Sequence, residues 1–184
     1  MNTASLFMVV GILAACSPAA PPPAKPPPKG CPPAETKLSL TATKRVNPAV
    51  EGEGRPIQVR VYQLVSDTKL RNATFEEIWQ KDREVLKADI KTVAEHTLFP
   101  GETKQVSLRR SPEAHYVSVV ALFREPQGKD WYVSYELGEP PSAPPCASPK
   151  PIPVFLDRMQ IQDGEGRSDE ASPAPAAAGP EGGK

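Results

Sequence analysis

Long apolar runs are missing from this 184-residue chain. The longest, Leu6 to Leu13, falls well short of the roughly 20 apolar residues that a finished membrane-spanning helix needs. Histidine is nearly absent. His96 and His115 are the only two, and neither sits in a cysteine or carboxylate cluster at ligand spacing, so each reads as a surface or strand residue and no metal centre or imidazole-based catalytic group is expected. Charge of one sign is lacking too. Lys and Arg total 22 and Asp and Glu total 22, with no long basic run, which argues against nucleic acid as a partner. No glycine-rich phosphate loop follows a strand-like segment. Glu51, Glu53 and their glycines are too few and too irregular for a calcium loop. The acids Glu76 and Glu77 open a helix-like segment, where the helix dipole favours negative charge. Aromatic residues make up only 6% of the chain. Trp79 and Trp131 are expected in a core, with a sugar platform as the other reading. No catalytic constellation emerges, so the expectation is a non-enzymatic protein with no cofactor.

Proline is what the chain has in excess, 24 residues of it. From Ser17 to Pro33 the sequence is mostly Pro, Ala and Lys. Proline fixes φ and removes a backbone donor, so this stretch favours polyproline II and cannot join a sheet. At about 3.1 Å per residue it reaches roughly 50 Å, either as a stalk that holds a domain off a surface or as a neutral linker. Just before it, the run Leu13-Ala14-Ala15-Cys16 closes the short apolar stretch. This has the length and small-residue ending of a signal peptide, and it resembles the bacterial lipobox, in which the cysteine is lipidated and becomes the mature N-terminus. Residues 1–15 are then a lipoprotein signal peptide and residues 16–34 a lipidated Cys16 with its stalk. One departure is that Met1 to Ser5 carries no Lys or Arg. Ser17, rather than Asp, follows the cysteine, which leans towards the periplasmic face of the outer membrane. At the other end, residues 163–184 hold no large apolar residue and are expected to stay disordered.

Setting Cys16 aside leaves Cys31 and Cys146, both within proline-rich segments. An even pair in an oxidising compartment reads as one disulfide, with two free thiols as the alternative. The loop it would close is worth roughly 4–5 kcal/mol in the chain-entropy account.

Residues 35–162 are long enough for one domain with a real core. Leu38, Leu40 and Ala42 alternate with polar neighbours, as do Ile57, Val59 and Val61, the period-two pattern of half-buried strands. Further strands are expected at Lys91–Leu98, Gln105–Arg109, His115–Phe123, Trp131–Leu137 and Ile152–Ile161. The fifth of these seven is apolar on both faces, which places it centrally. Phe99-Pro100-Gly101-Glu102 reads as a turn. One segment breaks the period: Phe75, Ile78, Trp79, Asp82 and Leu86 share a helical face, and Thr74 with Glu77 forms a capping-box signature ahead of it. The fold class is therefore mainly β, an antiparallel two-sheet sandwich of about seven strands, with one added helix between strands two and three.

The ordered set Val46-Asn47-Pro48, Gly54-Arg55-Pro56, Val59-Arg60-Val61-Tyr62-Gln63-Leu64, Phe75-Glu76-Glu77-Ile78-Trp79, Phe99-Pro100-Gly101-Glu102, Tyr116 to Arg124 and Trp131 resembles the TssJ (SciN, VasD) family of type VI secretion lipoproteins. The resemblance spans about Leu38 to Leu137. The stalk, the Cys31/Cys146 pair and the Ala-rich tail depart from the usual pattern. The resemblance implies a structural outer-membrane β-sandwich that binds the periplasmic C-terminal region of TssM and, together with TssL, builds an envelope-spanning complex. It also implies a contact region in the loop between the first two strands. Here that region is Val46, Asn47, Pro48, Ala49, Val50, Glu51, Gly52, Glu53, Gly54 and Arg55, on a loop whose glycines let it protrude. The edge strands offer another surface. The other functional class is a periplasmic lipoprotein that binds a small ligand or glycan through the sandwich loops.

Overall fold

The computed structural model describes residues 31, 33–140, 146 and 148–164. Among these residues, eight strands form two four-stranded sheets. The first sheet holds β1 (Glu35–Ala42), β4 (Thr103–Arg109), β7 (Ile152–Asp157) and β8 (Gln160–Asp163), in the order β4-β1-β7-β8. The second holds β2 (Ile57–Leu64), β3 (Ile90–Leu98), β5 (Tyr116–Ala121) and β6 (Tyr132–Glu136), in the order β3-β2-β5-β6. Leu38, Leu40 and Ala42 of β1 and Val154 and Leu156 of β7 meet Val59, Val61, Val117 and Val119 across the interior, all essentially inaccessible to solvent. The alternation read from the sequence is the alternation of these inward positions.

Two differences from the expected sandwich concern the first sheet. Its last stretch is a hairpin, not one strand: Arg158 takes a left-handed φ of 51° and turns the chain from β7 into β8. The eighth strand carries order through Asp163, and residues 165–184 of the expected tail lie outside the described set. The sheet is also mixed, because β1 and β7 run parallel, with Leu38 opposite Ile152 and Ala42 opposite Leu156. β6 ends at the end of the sandwich where β1 starts, and β7 enters from there in the same direction as β1.

The crossover from β2 to β3 covers the outer face of the second sheet. It contains two helices rather than one: α1 (Thr68–Asn72) and α2 (Phe75–Leu86), followed by a single 3-10 turn, Lys87–Asp89. The first is too short to show a periodic stripe, and it buries only Leu70. The second starts at the capping box: the Thr74 hydroxyl accepts the Glu77 N–H, and the Glu77 carboxylate accepts the Thr74 N–H at 2.8 Å. Ile78 and Leu86 point inward. Asp82, the polar member of that stripe, accepts the Tyr62 hydroxyl at 2.7 Å and lies 3.5 Å from the Arg60 guanidinium. Burial, and the bond to Asp82, push the Tyr62 phenol above its ordinary pKa. Arg60 also pairs with Glu95 at 3.0 Å and donates to the Ile78 carbonyl. This polar knot ties α2 to β2 and β3. Trp131 is buried at 1% exposure, edge-on to Phe75. Trp79 is not a core residue, being 50% exposed. It stands one position past Ile78, off the inward stripe, and stacks on Phe75 four residues earlier.

The strand directions sort every connection to one of two ends. One end gathers the β1–β2 loop, the β3–β4 turn, the β5–β6 connection and the β7–β8 turn. The other, where β1 begins, gathers Cys31, both ends of the β2–β3 crossover, the β4–β5 link and both ends of the β6–β7 link.

Candidate partner-binding loop

The β1–β2 loop is a rooted projection. Val46 is fully buried, and Asn47 and Ala49 are nearly so. Asn47 takes a left-handed φ of 47° and works as a junction. Its N–H donates to the Arg158 carbonyl at 2.7 Å, its side-chain amide donates to the Pro56 carbonyl at 3.0 Å, and its side-chain oxygen accepts the Arg124 N–H at 3.0 Å. One asparagine thus fastens the loop to the β7–β8 turn, to its own far limb and to the β5–β6 connection. The Arg55 N–H donates to the Val46 carbonyl at 2.9 Å and closes the root.

Above the root, the Ala49 N–H donates to the Glu53 carbonyl and the Gly52 N–H to the Ala49 carbonyl. Gly52 supplies the required φ of 87°. This small closed turn pushes Val50 outward to 89% exposure, an uncommon position for a valine. Glu51, Gly52, Glu53 and Arg55 are exposed around it. Of the ten residues singled out from the sequence, Val46, Asn47 and Ala49 therefore form the root, while Val50 to Glu53 and Arg55 are the accessible part.

The β3–β4 turn stands beside this loop and adds a residue that the loop-centred sequence reading missed. Phe99 is 58% exposed. Its N–H donates to the Glu102 carboxylate at 2.8 Å, and the Glu102 N–H returns to the Phe99 carbonyl at 3.0 Å. The backbone bond from Phe99 holds the Glu102 carboxyl below its ordinary pKa. The two segments touch: a Cβ built on Gly54 would lie 3.3 Å from the Pro100 side chain, and one on Gly101 would lie 3.5 Å from that of Lys44. The available signal was a large aromatic residue inside a Pro-Gly turn, where no core can claim it. Val50 and Phe99 are two of the three large apolar side chains exposed among the described residues, the third being Trp79.

The opposite end carries the two cysteines. Cys31 and Cys146 are joined in a disulfide with a Cα–Cα separation of 5.4 Å. A cleft of about 520 Å³ lies beside it, lined by Pro33, Thr36, Arg110, Leu137 and Ile152 among others. Arg110 crosses this end, donating to the carbonyls of Ala114 and Leu137. Among the described residues no group of His, Cys, Asp and Glu is arranged to hold a metal, and no helix is long and apolar enough to cross a membrane. Cys16 lies outside the described residues.

A family model described as type VI secretion lipoprotein, VasD, EvfM, TssJ matches residues 34–158, well over half of the chain. The chain belongs to the type VI secretion lipoprotein family. The match begins just before β1 and ends in the β7–β8 turn, so both the rooted loop and the Phe99 turn lie inside the family's domain. Several solved structures share the fold. The lipoprotein TssJ1 from Pseudomonas aeruginosa is 20% identical, with a TM-score of 0.58 over 78% of this chain and 100% of that one. The Serratia marcescens protein Lip, a membrane-bound component of the type VI secretion system, is 24% identical, with a TM-score of 0.60 over 71% of this chain and 97% of that one. A chain from a structure described as the TssM C-terminal domain from EAEC is 21% identical, with a TM-score of 0.57 over 70% of this chain and 96% of that one. A search of the curated proteins finds no match.

Proposed function

We propose that this chain is a non-enzymatic outer-membrane anchor of a type VI secretion complex. Cys16 carries the lipid, the domain stands on the periplasmic face, and the β1–β2 loop docks the periplasmic C-terminal region of TssM, with TssL in the same assembly. The observation that carries this reading is the division of the sandwich into two ends. The N-terminal stretch enters at the Cys31 end, and the rigid loop with Val50 at its tip projects from the other. Eight-residue β1 separates them by about 26 Å, at the usual rise of about 3.3 Å per residue. A protein tethered at one end and presenting a firmly held apolar tip at the other is built to bridge. Family membership supports the reading, and so does the presence of this fold in structures described as a type VI membrane complex and as the TssM C-terminal domain.

The acids at the tip and Arg55 stand at the rim of this surface, where charge governs the rate of encounter more than final affinity. Calorimetry of the mature chain with the TssM periplasmic region tests the proposal. Binding is expected, and it should be lost when residues 50–54 are replaced by a Gly-Ser turn that leaves the circular dichroism unchanged. Binding that survives the replacement moves the site to another loop or an edge strand; absence of binding by either form returns attention to a small ligand or glycan. The anchor is tested separately. A Cys16→Ser protein should be soluble in the periplasm, and one that still sediments with membranes after a carbonate wash refutes lipidation at this residue.

A further inference from the structure

We propose that β1 and β7 form a two-strand tension member between the tether end and the loop end, closed at one end by the Cys31–Cys146 disulfide and at the other by hydrogen bonds from the loop root. It rests on the reading above for the direction of load, from a lipid tether at one end to a docked partner at the other. Without a second strand, that load would run through β1 alone. Residues 33–34 lead directly into β1 at Glu35, and the far end of β1 leads directly into the loop.

Three features bring β7 into the path. First, β7 lies beside β1 and parallel to it, from Leu38 opposite Ile152 to Ala42 opposite Leu156. Both strands therefore start at the tether end. Second, the disulfide joins the chain four residues ahead of β1 to the chain six residues ahead of β7. Tension arriving at Cys31 divides between the two strands. Third, the strands are tied again at the loop end. The Thr43 N–H donates to the Leu156 carbonyl at 2.9 Å, the Thr43 hydroxyl to Asp157 at 2.6 Å, and the Asn47 N–H to the Arg158 carbonyl at 2.7 Å. Arg45 adds an ion pair to Asp157 at 3.1 Å. Ladder bonds between parallel neighbours are evenly spaced and slanted across the strands, so the share of load carried by β7 passes back to β1 through many of them together instead of opening them one at a time. β4 on the far side of β1 runs antiparallel and turns back at the loop end, so it shares no such covalent entry.

Single-molecule pulling on the unlipidated chain from residue 16 onward reads this directly and needs no partner. Cys16 carries one handle and an azide-bearing residue at position 50 the other. A second, transverse axis uses handles at positions 84 and 105, which are exposed on α2 and β4. The oxidised chain should yield along the tether–loop axis at a higher force than the Cys31→Ser/Cys146→Ser chain, because β7 and its bonds to β1 then share the load. The transverse force should stay the same. In the oxidised chain, Asp157→Ala should lower the force along the tether–loop axis alone, which supplies the test if the serine pair does not fold. Equal losses on both axes would reduce the disulfide to a general stabiliser and overturn the proposal, as would an unchanged force along the tether–loop axis. TssM binding can fail with this result intact, and the reverse.

Discussion

Gly52 and Gly54 sit two residues apart in the same loop and are needed for different reasons, so substituting each in turn tests how the loop is built. At Gly52 the backbone φ is 87°, and nothing lies within 4 Å of the Cβ that another residue would add. The cost there is conformational alone, about 1–2 kcal/mol for alanine in a left-handed conformation. Asparagine visits that region readily, so Gly52→Asn should recover most of the loss. At Gly54 a Cβ would lie 2.1 Å from the Lys44 carbonyl oxygen and 3.3 Å from Pro100. The first contact is with backbone and cannot relax by a rotamer change. Gly54→Ala should therefore cost about 1–3 kcal/mol, as overpacking generally does, and Gly54→Asn should cost no less. Urea unfolding followed by the fluorescence of buried Trp131 reads both. With a slope of about 2 kcal/mol per molar, the Gly54→Ala midpoint falls by roughly 0.5–1.5 M. The Gly54 variants should also weaken partner binding, since residue 54 holds the loop against the Phe99 turn. If asparagine rescues Gly54 as well as it rescues Gly52, or if Gly54→Ala leaves the midpoint unmoved, the close approach to Lys44 is not what shapes the loop.

Further outcomes follow from other features. Val50→Asp and Phe99→Asp, made singly, should each weaken TssM binding by tenfold or more in calorimetry with the unfolding midpoint unchanged, as expected for exposed apolar anchors; full affinity in both would remove this end from the interface. Tyr62→Phe should lose about 1 kcal/mol, one hydrogen bond to Asp82, and Asp82→Ala more than that, because it strips both Tyr62 and Arg60 of a partner; chemical denaturation that ranks them in the opposite order would refute the polar knot. His96 has a buried Nε2 without a hydrogen-bond partner, and burial, with Lys104 nearby, holds its imidazole below the ordinary pKa of 6.5. As pH falls through 6.5 the unfolded chain takes up this proton before the folded one, so the histidine should cost stability below that pH. Urea midpoints at pH 8 and pH 5 should therefore differ less in His96→Leu than in the unsubstituted protein.

Much of this architecture is written locally. The alternation in β1 and β2, the doubly apolar β5 and the Thr74–Glu77 box are all patterns within a few residues of one another, and each appears where the pattern puts it. What escaped the sequence depends on distant pairings. The parallel contact of β1 with β7 joins segments more than a hundred residues apart, and no periodicity records which neighbour a strand acquires. Arg158 carries no turn signature, yet it reverses the chain between β7 and β8. Trp79 shares a helical face with Ile78 on a wheel drawn from spacing alone, but one residue of rotation is enough to bring it into solvent. The candidate loop was legible as a segment. Its division into a buried root and an exposed tip was not, because Asn47 reaches three other parts of the chain.

The parallel pairing also has a consequence for how the molecule comes into being. The second sheet is complete once Glu136 is available, with β2, β3, β5 and β6 all in hand. The first is not, because β1 waits for a neighbour more than a hundred residues later in the sequence. Pairings this remote in sequence form slowly, since the intervening chain must be closed before they return any stabilisation. As the chain is made from the N-terminus, Leu38, Leu40 and Ala42 emerge early and then stand with one side unpaired until the hairpin of β7 and β8 arrives. The assembly order is thus set by topology: the helix-backed sheet closes first, and β1 completes its pairing only when the β7–β8 hairpin has been delivered.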